Sequence, residues 1–107
     1  MTKDNRSFPR KPLRAPAQVR LQTGAILRGR TIDIALAGVS LLIEQQLPAG
    51  ATCAFMFETQ INGAPRRVVA NAKVAYSILS GTEGFRIGLA ITDIDAASNK
   101  TLAELMI

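Results

Sequence analysis

Histidine and tryptophan are absent from these 107 residues, and cysteine occurs once. Without histidine the chain lacks the commonest general base and the usual partner of a nucleophilic serine or cysteine. The single thiol, Cys53, can close no disulfide within the chain, and with no histidine it cannot complete a zinc site. It sits in the apolar run Cys53-Ala54-Phe55-Met56-Phe57, which is where a small buried thiol serves as packing. Long apolar stretches are also missing: none approaches the ~18 residues that cross a bilayer. The opening segment, Met1 to Arg10, is polar and basic and has no apolar core of a secretory signal. There is no phosphate-binding G-x-x-x-x-G-K-[ST] loop and no metal-ligand spacing. The eight carboxylates are scattered, with no pair marked out. These absences argue against an enzyme, assign no catalytic residue, metal or cofactor, and make the cytoplasm the expected location.

The positive charge is unevenly placed. Residues 1–30 hold eight basic side chains against Asp4 alone, a segment charge of +7, whereas residues 31–107 hold five basic and seven acidic ones, −2. A concentrated basic segment calls for an anionic partner: a nucleotide, a nucleic acid or an anionic surface. Four Phe and one Tyr, mostly at core-patterned positions, leave few stacking platforms for a nucleic acid.

Organisation comes from proline and from periodicity. Pro9, Pro12 and Pro16 keep residues 1–16 from forming a helix, giving a basic, mobile arm. Residues 17–107 read as one domain. Val19 and Leu21 alternate with polar neighbours. A second strand runs from about Ala25 to Ile34, with Ile32 and Ile34 on one face and Asp33 on the other. Val39, Leu41 and Ile43 mark the next strand, and Cys53, Phe55 and Phe57 the one after it. Asn62-Gly63 is a hairpin signal. Val68, Ala70, Ala72, Val74, Tyr76 and Ile78 then form one apolar face. Phe85, Ile87, Leu89 and Ile91 close the series. Six short strands with period-two alternation predict an antiparallel barrel or sandwich. Asp95 is placed to cap a helix over Ala96 to Met106, with Leu102, Leu105 and Met106 on one face. Gly88, inside a strand, signals a bulge or a close approach to the backbone.

Two local features combine into candidate chemistry. In the arm, Arg6, Arg10 and Arg14 recur at every fourth position. At a strand end stands Asp33-Ile34-Ala35-Leu36-Ala37-Gly38. Guanidinium groups suit phosphate oxygens and the O6/N7 edge of guanine. A carboxylate can accept from guanine N1–H and N2–H. Gly38 permits a close approach that a side chain would block.

This combination resembles the PilZ family, whose signature is R-x-x-x-R in an N-terminal arm followed by [DN]-x-S-x-x-G. The resemblance extends to the strand from Gly29 to Asp33, to Phe85-Arg86-Ile87-Gly88-Leu89-Ala90-Ile91, and to the closing helix. It implies an all-β, six-stranded antiparallel barrel with a C-terminal helix and a flexible arm. It also implies a receptor for bacterial cyclic di-GMP, bound as a ligand by Arg6, Arg10, Asp33, Ala35 and Gly38. Arg14 and Gly88 are auxiliary. Both Arg6…Arg10 and Arg10…Arg14 satisfy the arginine spacing; Arg6-Ser7-Phe8-Pro9-Arg10 fits the family better. The departure is Ala35, where the family carries serine. A lost hydrogen bond there weakens binding by about 0.5–1.5 kcal/mol. The expected role is an adaptor that signals in trans to an unidentified protein partner. The alternatives are a PilZ-like interaction adaptor that no longer binds the ligand, and a small basic nucleic-acid-binding barrel.

Overall fold

The computed structural model describes residues 9–107. Seven strands and one helix occur in order: β1 (Lys11–Pro12), β2 (Pro16–Leu21), β3 (Ile26–Ala35), β4 (Gly38–Ile43), β5 (Thr52–Ile61), β6 (Ala64–Leu79), β7 (Phe85–Ile94) and α1 (Ala96–Leu105). All pairings are antiparallel. The sheet order is β1-β3-β2-β5-β6-β7-β4, and a further β3–β4 pairing closes β2 to β7 into a six-stranded barrel. Closure removes most of the free edges that would otherwise invite association. The six expected strands and the helix are all present; β1 is the addition.

Alternation builds the core. Val19, Leu41, Phe55, Phe57, Val68 and Ile87 are essentially inaccessible, and the Phe55 and Phe57 rings stack with centroids 6.4 Å apart. Asn62 and Gly63 both take positive φ, 53° and 81°, as a two-residue hairpin between β5 and β6 requires. Cys53 is buried, as its apolar run predicts. Asp95 caps α1 by accepting from the Ser98 amide at 2.7 Å. Leu102 is fully buried, and Leu105 and Met106 pack at the edge of the same core. The Ser98 hydroxyl accepts from the Val69 amide at 3.0 Å, so the helix is fastened to β6 by a polar contact as well as by Leu102.

The pairings contain three register shifts. One falls between Asn71 and Ala72, where β7 carries the extra residue Thr92; the other two correct the alternation read from the sequence. The β3–β4 register shifts between Thr31 and Asp33, and the β6–β7 register shifts between Val74 and Tyr76. Each bulge inserts one residue and reverses the facing of the residues beyond it. Ile32 and Ile34 therefore do not share a face. Thr31 pairs with inward Leu41 and Ile34 pairs with inward Val39, and both are buried. Likewise Tyr76 and Ile78 leave the apolar face on which Val74 lies, and Ile78 is exposed.

The chain before β2 is held against β3. Lys11 and Pro12 pair with Ile34 and Asp33. The buried Thr31 hydroxyl donates to the Leu13 carbonyl at 2.5 Å and accepts from the Ala15 amide at 2.9 Å. These bonds satisfy a polar group inside the barrel wall, and they fix where Arg10 enters.

Candidate functional site

The two bulges produce one continuous row across the outer face of four neighbouring strands. Asp33 of β3 pairs with Ser40 of β4, Ser40 with Gly88 of β7, and Gly88 with Tyr76 of β6. Without the β3 bulge Asp33 would fall on the parity of Thr31 and point inward; without the β6 bulge Tyr76 would share the facing of Val74. Bulges beside functional sites commonly re-aim side chains in this way.

Hydrogen bonds join the row. Arg10 donates to Asp33 Oδ1 through Nε at 3.0 Å and Nη2 at 2.8 Å. The same Nη2 also donates to Ser40 Oγ at 3.1 Å. Ser40 Oγ lies 3.2 Å from the Tyr76 hydroxyl, and either can donate. Arg86 of β7 donates from Nη2 to Asp33 Oδ2 at 3.1 Å. Each carboxylate oxygen of Asp33 thus carries its own arginine. The Asp33 side chain is 17% exposed, against 46% and 42% for Arg10 and Arg86. With two cations around one anion, this part of the surface carries excess positive charge.

Beside the row lies a groove of about 490 Å³. Arg10 and Tyr76 line it together with Ala35, Gly38, Gly88 and Ala90. Alanine and glycine make up more than half of its lining, and Arg10, which lines it, is the ion-pair partner of Asp33. Glycine is required at two of these positions. A methyl group on Gly88 would lie 2.6 Å from Tyr76 Cζ and 2.7 Å from Cδ2, so the close approach expected at Gly88 is that of the tyrosine ring. A methyl group on Gly38 would strike the Leu89 carbonyl oxygen, so Gly38 lets β4 start close against β7. Ala35 is buried and pairs with Gly38 at the mouth of the β3–β4 turn.

Of the residues singled out from the sequence, Arg10, Asp33, Ala35, Gly38 and Gly88 are brought together here. Arg6 lies outside the described residues. Arg14 does not line this groove. It lines a wider one of about 680 Å³ with Glu58, Pro65, Arg66 and Arg67, and borders another with Arg30 and Arg86. Arg66 and Arg67 are paired with Glu104 and Glu58. Three further site residues are not evident as such in the sequence: Ser40, Tyr76 and Arg86. Ser40 does carry a signal, as the lone polar residue between Val39 and Leu41 in an otherwise apolar strand. Among the described residues no cluster of potential metal ligands forms, and no helix is long and apolar enough to cross a membrane.

Comparison with known proteins agrees with this architecture. The sequence pattern of the PilZ domain matches residues 4–107. No curated protein sequence matches the chain. Among solved structures, Bacillus subtilis inhibitor of motility (MotI/DgrA) superposes with a TM-score of 0.80 at 14% identity, over 96% of this chain and 49% of that one. The PilZ domain of Escherichia coli YcgR with c-di-GMP gives 0.66 at 18% identity, over 95% and 88%. The K. pneumonia MrkH–c-di-GMP complex gives 0.70 at 12% identity, over 99% and 52%. The chain therefore spans about half the length of MotI and MrkH and most of the isolated YcgR domain. At these identities the likeness is one of fold.

Proposed function

The chain belongs to the PilZ domain family, and from that premise we propose that it is a receptor domain for cyclic di-GMP that passes the signal to a separate protein. The observation that carries this reading is the arginine-flanked Asp33, whose partner Arg10 lines a neighbouring groove rich in alanine and glycine. Asp33 offers acceptors for guanine N1–H and N2–H. The small side chains of Ala35, Gly38, Gly88 and Ala90 leave the neighbouring groove open to a base. Arg10, joined by Arg6 from the arm, supplies charge for the phosphates. Two of the structural relatives are c-di-GMP complexes, and the family match brings that ligand class to this chain.

Binding is then an exchange of partners. Without ligand, Arg10 rests on Asp33 and Ser40. A half-exposed ion pair of this kind is worth up to about 1 kcal/mol. Charge-assisted bonds to phosphate are worth about 1.5–3 kcal/mol each, so the exchange favours the bound form. Moving Arg10 also shifts the segment before β1, which changes the surface a partner meets. As a receptor, the domain needs no catalytic group.

Ala35 favours a second reading, a PilZ-type adaptor that has lost the ligand and works through protein contacts alone. Calorimetric titration with cyclic di-GMP separates the two, because the receptor saturates and the adaptor gives no heat of binding at millimolar ligand. Repeating it across salt concentrations addresses nucleic-acid binding. A diphosphate ligand gives a shallow salt slope, whereas contacts to many phosphates give a steep one.

A further inference from the structure

Arg86 belongs to the barrel and not to the arm. It projects from β7 on the outer face, one row away from Ser40 and Gly88, with Leu42 of β4 and Ile78 of β6 as its cross-strand neighbours. Its Nη2 reaches Asp33 Oδ2, while Arg10 occupies Oδ1. The two cations thus hold different oxygens and are carried by different parts of the molecule. A ligand that draws Arg10 toward phosphate leaves Arg86 where it is.

We propose that Arg86 is a positioning residue for guanine recognition, holding the Asp33 carboxylate in orientation after Arg10 has left it. This rests on the receptor reading above. A carboxylate has about four acceptor directions, so Oδ2 can keep the Arg86 bond and still accept one guanine N–H, while Oδ1 accepts the other. An Asp33 released by Arg10 and held by nothing would be free to rotate among its rotamers, and that entropy would be lost on each binding event. Pre-orientation by Arg86 removes that loss. The guanidinium suits the task because it is planar and always charged. No other cation among the described residues is within salt-bridge distance of Asp33. Ile78 beside Arg86 is apolar, and the nearby Glu83 is paired with Arg30 at 3.6 Å.

A double-mutant cycle with cyclic di-GMP as the titrant tests this, using Arg86→Gln, Arg86→Lys, Asp33→Ala and the double variant Arg86→Gln/Asp33→Ala, each with its thermal unfolding recorded. Arg86→Gln should weaken binding about tenfold in the wild-type background. It should have less than about a twofold effect once Asp33 is alanine, because the two residues act through one bond. Arg86→Lys should recover part of the loss. Equal weakening in both backgrounds would show that Arg86 meets the ligand directly, and no weakening in the wild-type background would show that Asp33 needs no support; either result overturns the proposal. Wild type that fails to bind at all overturns the receptor reading and this inference with it, so the two failures are told apart by the wild-type arm.

Discussion

The ring of Tyr76 lies against the backbone of Gly88, in the space that any larger residue at position 88 would need. The bulge in β6 sends Tyr76 outward, and the glycine on the neighbouring strand receives it, leaving the tyrosine hydroxyl 3.2 Å from Ser40. Gly88→Ala should therefore push the ring away, with an overpacking cost of about 1–3 kcal/mol. Thermal unfolding should show a melting temperature lower by roughly 5–20 °C. An unchanged melting temperature would mean that the ring has a second resting place of equal energy.

Arg10 and Arg14 differ in what they touch. Arg10 bonds Asp33 and Ser40, whereas Arg14 lines other grooves. Arg10→Ala should weaken cyclic di-GMP binding by about tenfold or more, as loss of a charge-assisted phosphate contact implies. Arg14→Ala should change it by less than about threefold. Titration of the two variants at one salt concentration checks the order. A larger loss at Arg14 would place the arginine pair four residues further along the chain.

The fold is largely legible in the sequence because most of the barrel obeys one rule. Val68, Ala70, Ala72 and Val74 line the core and alternate with the exposed Val69, Asn71 and Lys73, and Ile87 and Leu89 of β7 are buried in their turn. Hidden from the sequence are the places where the rule is broken by one residue, two of which shape the site. Ile32 and Ala75 sit at those breaks, and both are apolar, so the period-two pattern runs on past them with no visible interruption. Only pairing with β4 and β7 reveals the insertion. For that reason Asp33 is recognisable as a site residue, whereas Tyr76 reads as core. Arg86 and Ser40 become site residues only through contacts made across strands. Residues 11–16 read as part of a free arm, yet Thr31 supplies the hydroxyl that holds Leu13 and Ala15. A buried threonine in a strand does not announce such a role.

Ala35 stands where the family carries serine, and it is buried in the groove wall. Ala35→Ser should tighten cyclic di-GMP binding by the value of one neutral hydrogen bond, about 0.5–1.5 kcal/mol, or roughly 2- to 12-fold. Ala35 is buried in the unliganded protein, so an added hydroxyl there loses its water, and the unliganded variant should be no more stable than wild type. Parallel titration and melting curves read both effects. Unchanged affinity would show that the ligand does not approach position 35.

Burial pushes the Cys53 thiol above its ordinary value of 9.0, so the neutral thiol is favoured in the folded state. The thiolate is the reactive form, and native Cys53 should therefore resist alkylation near neutral pH until the protein unfolds. The linkage has a definite sign. A raised folded value means that this stabilising contribution is intact below the ordinary thiol range and is lost as the pH rises through the folded value. Mass-spectrometric labelling with and without denaturant measures the contrast. Equal labelling rates would show that the β5 region opens readily.

Recognition of a guanine edge by Asp33 is the central claim, and base discrimination tests it most directly. Wild-type protein should be titrated with cyclic di-GMP and with cyclic di-AMP, which share the phosphates and differ in the base. Adenine lacks the paired N1–H and N2–H donors, so the guanine ligand should bind at least about tenfold more tightly. Asp33→Ala should abolish most of that preference while leaving the phosphate contacts in place. Equal affinity of wild type for the two ligands, or a preference that survives Asp33→Ala, would contradict a guanine-reading role for Asp33.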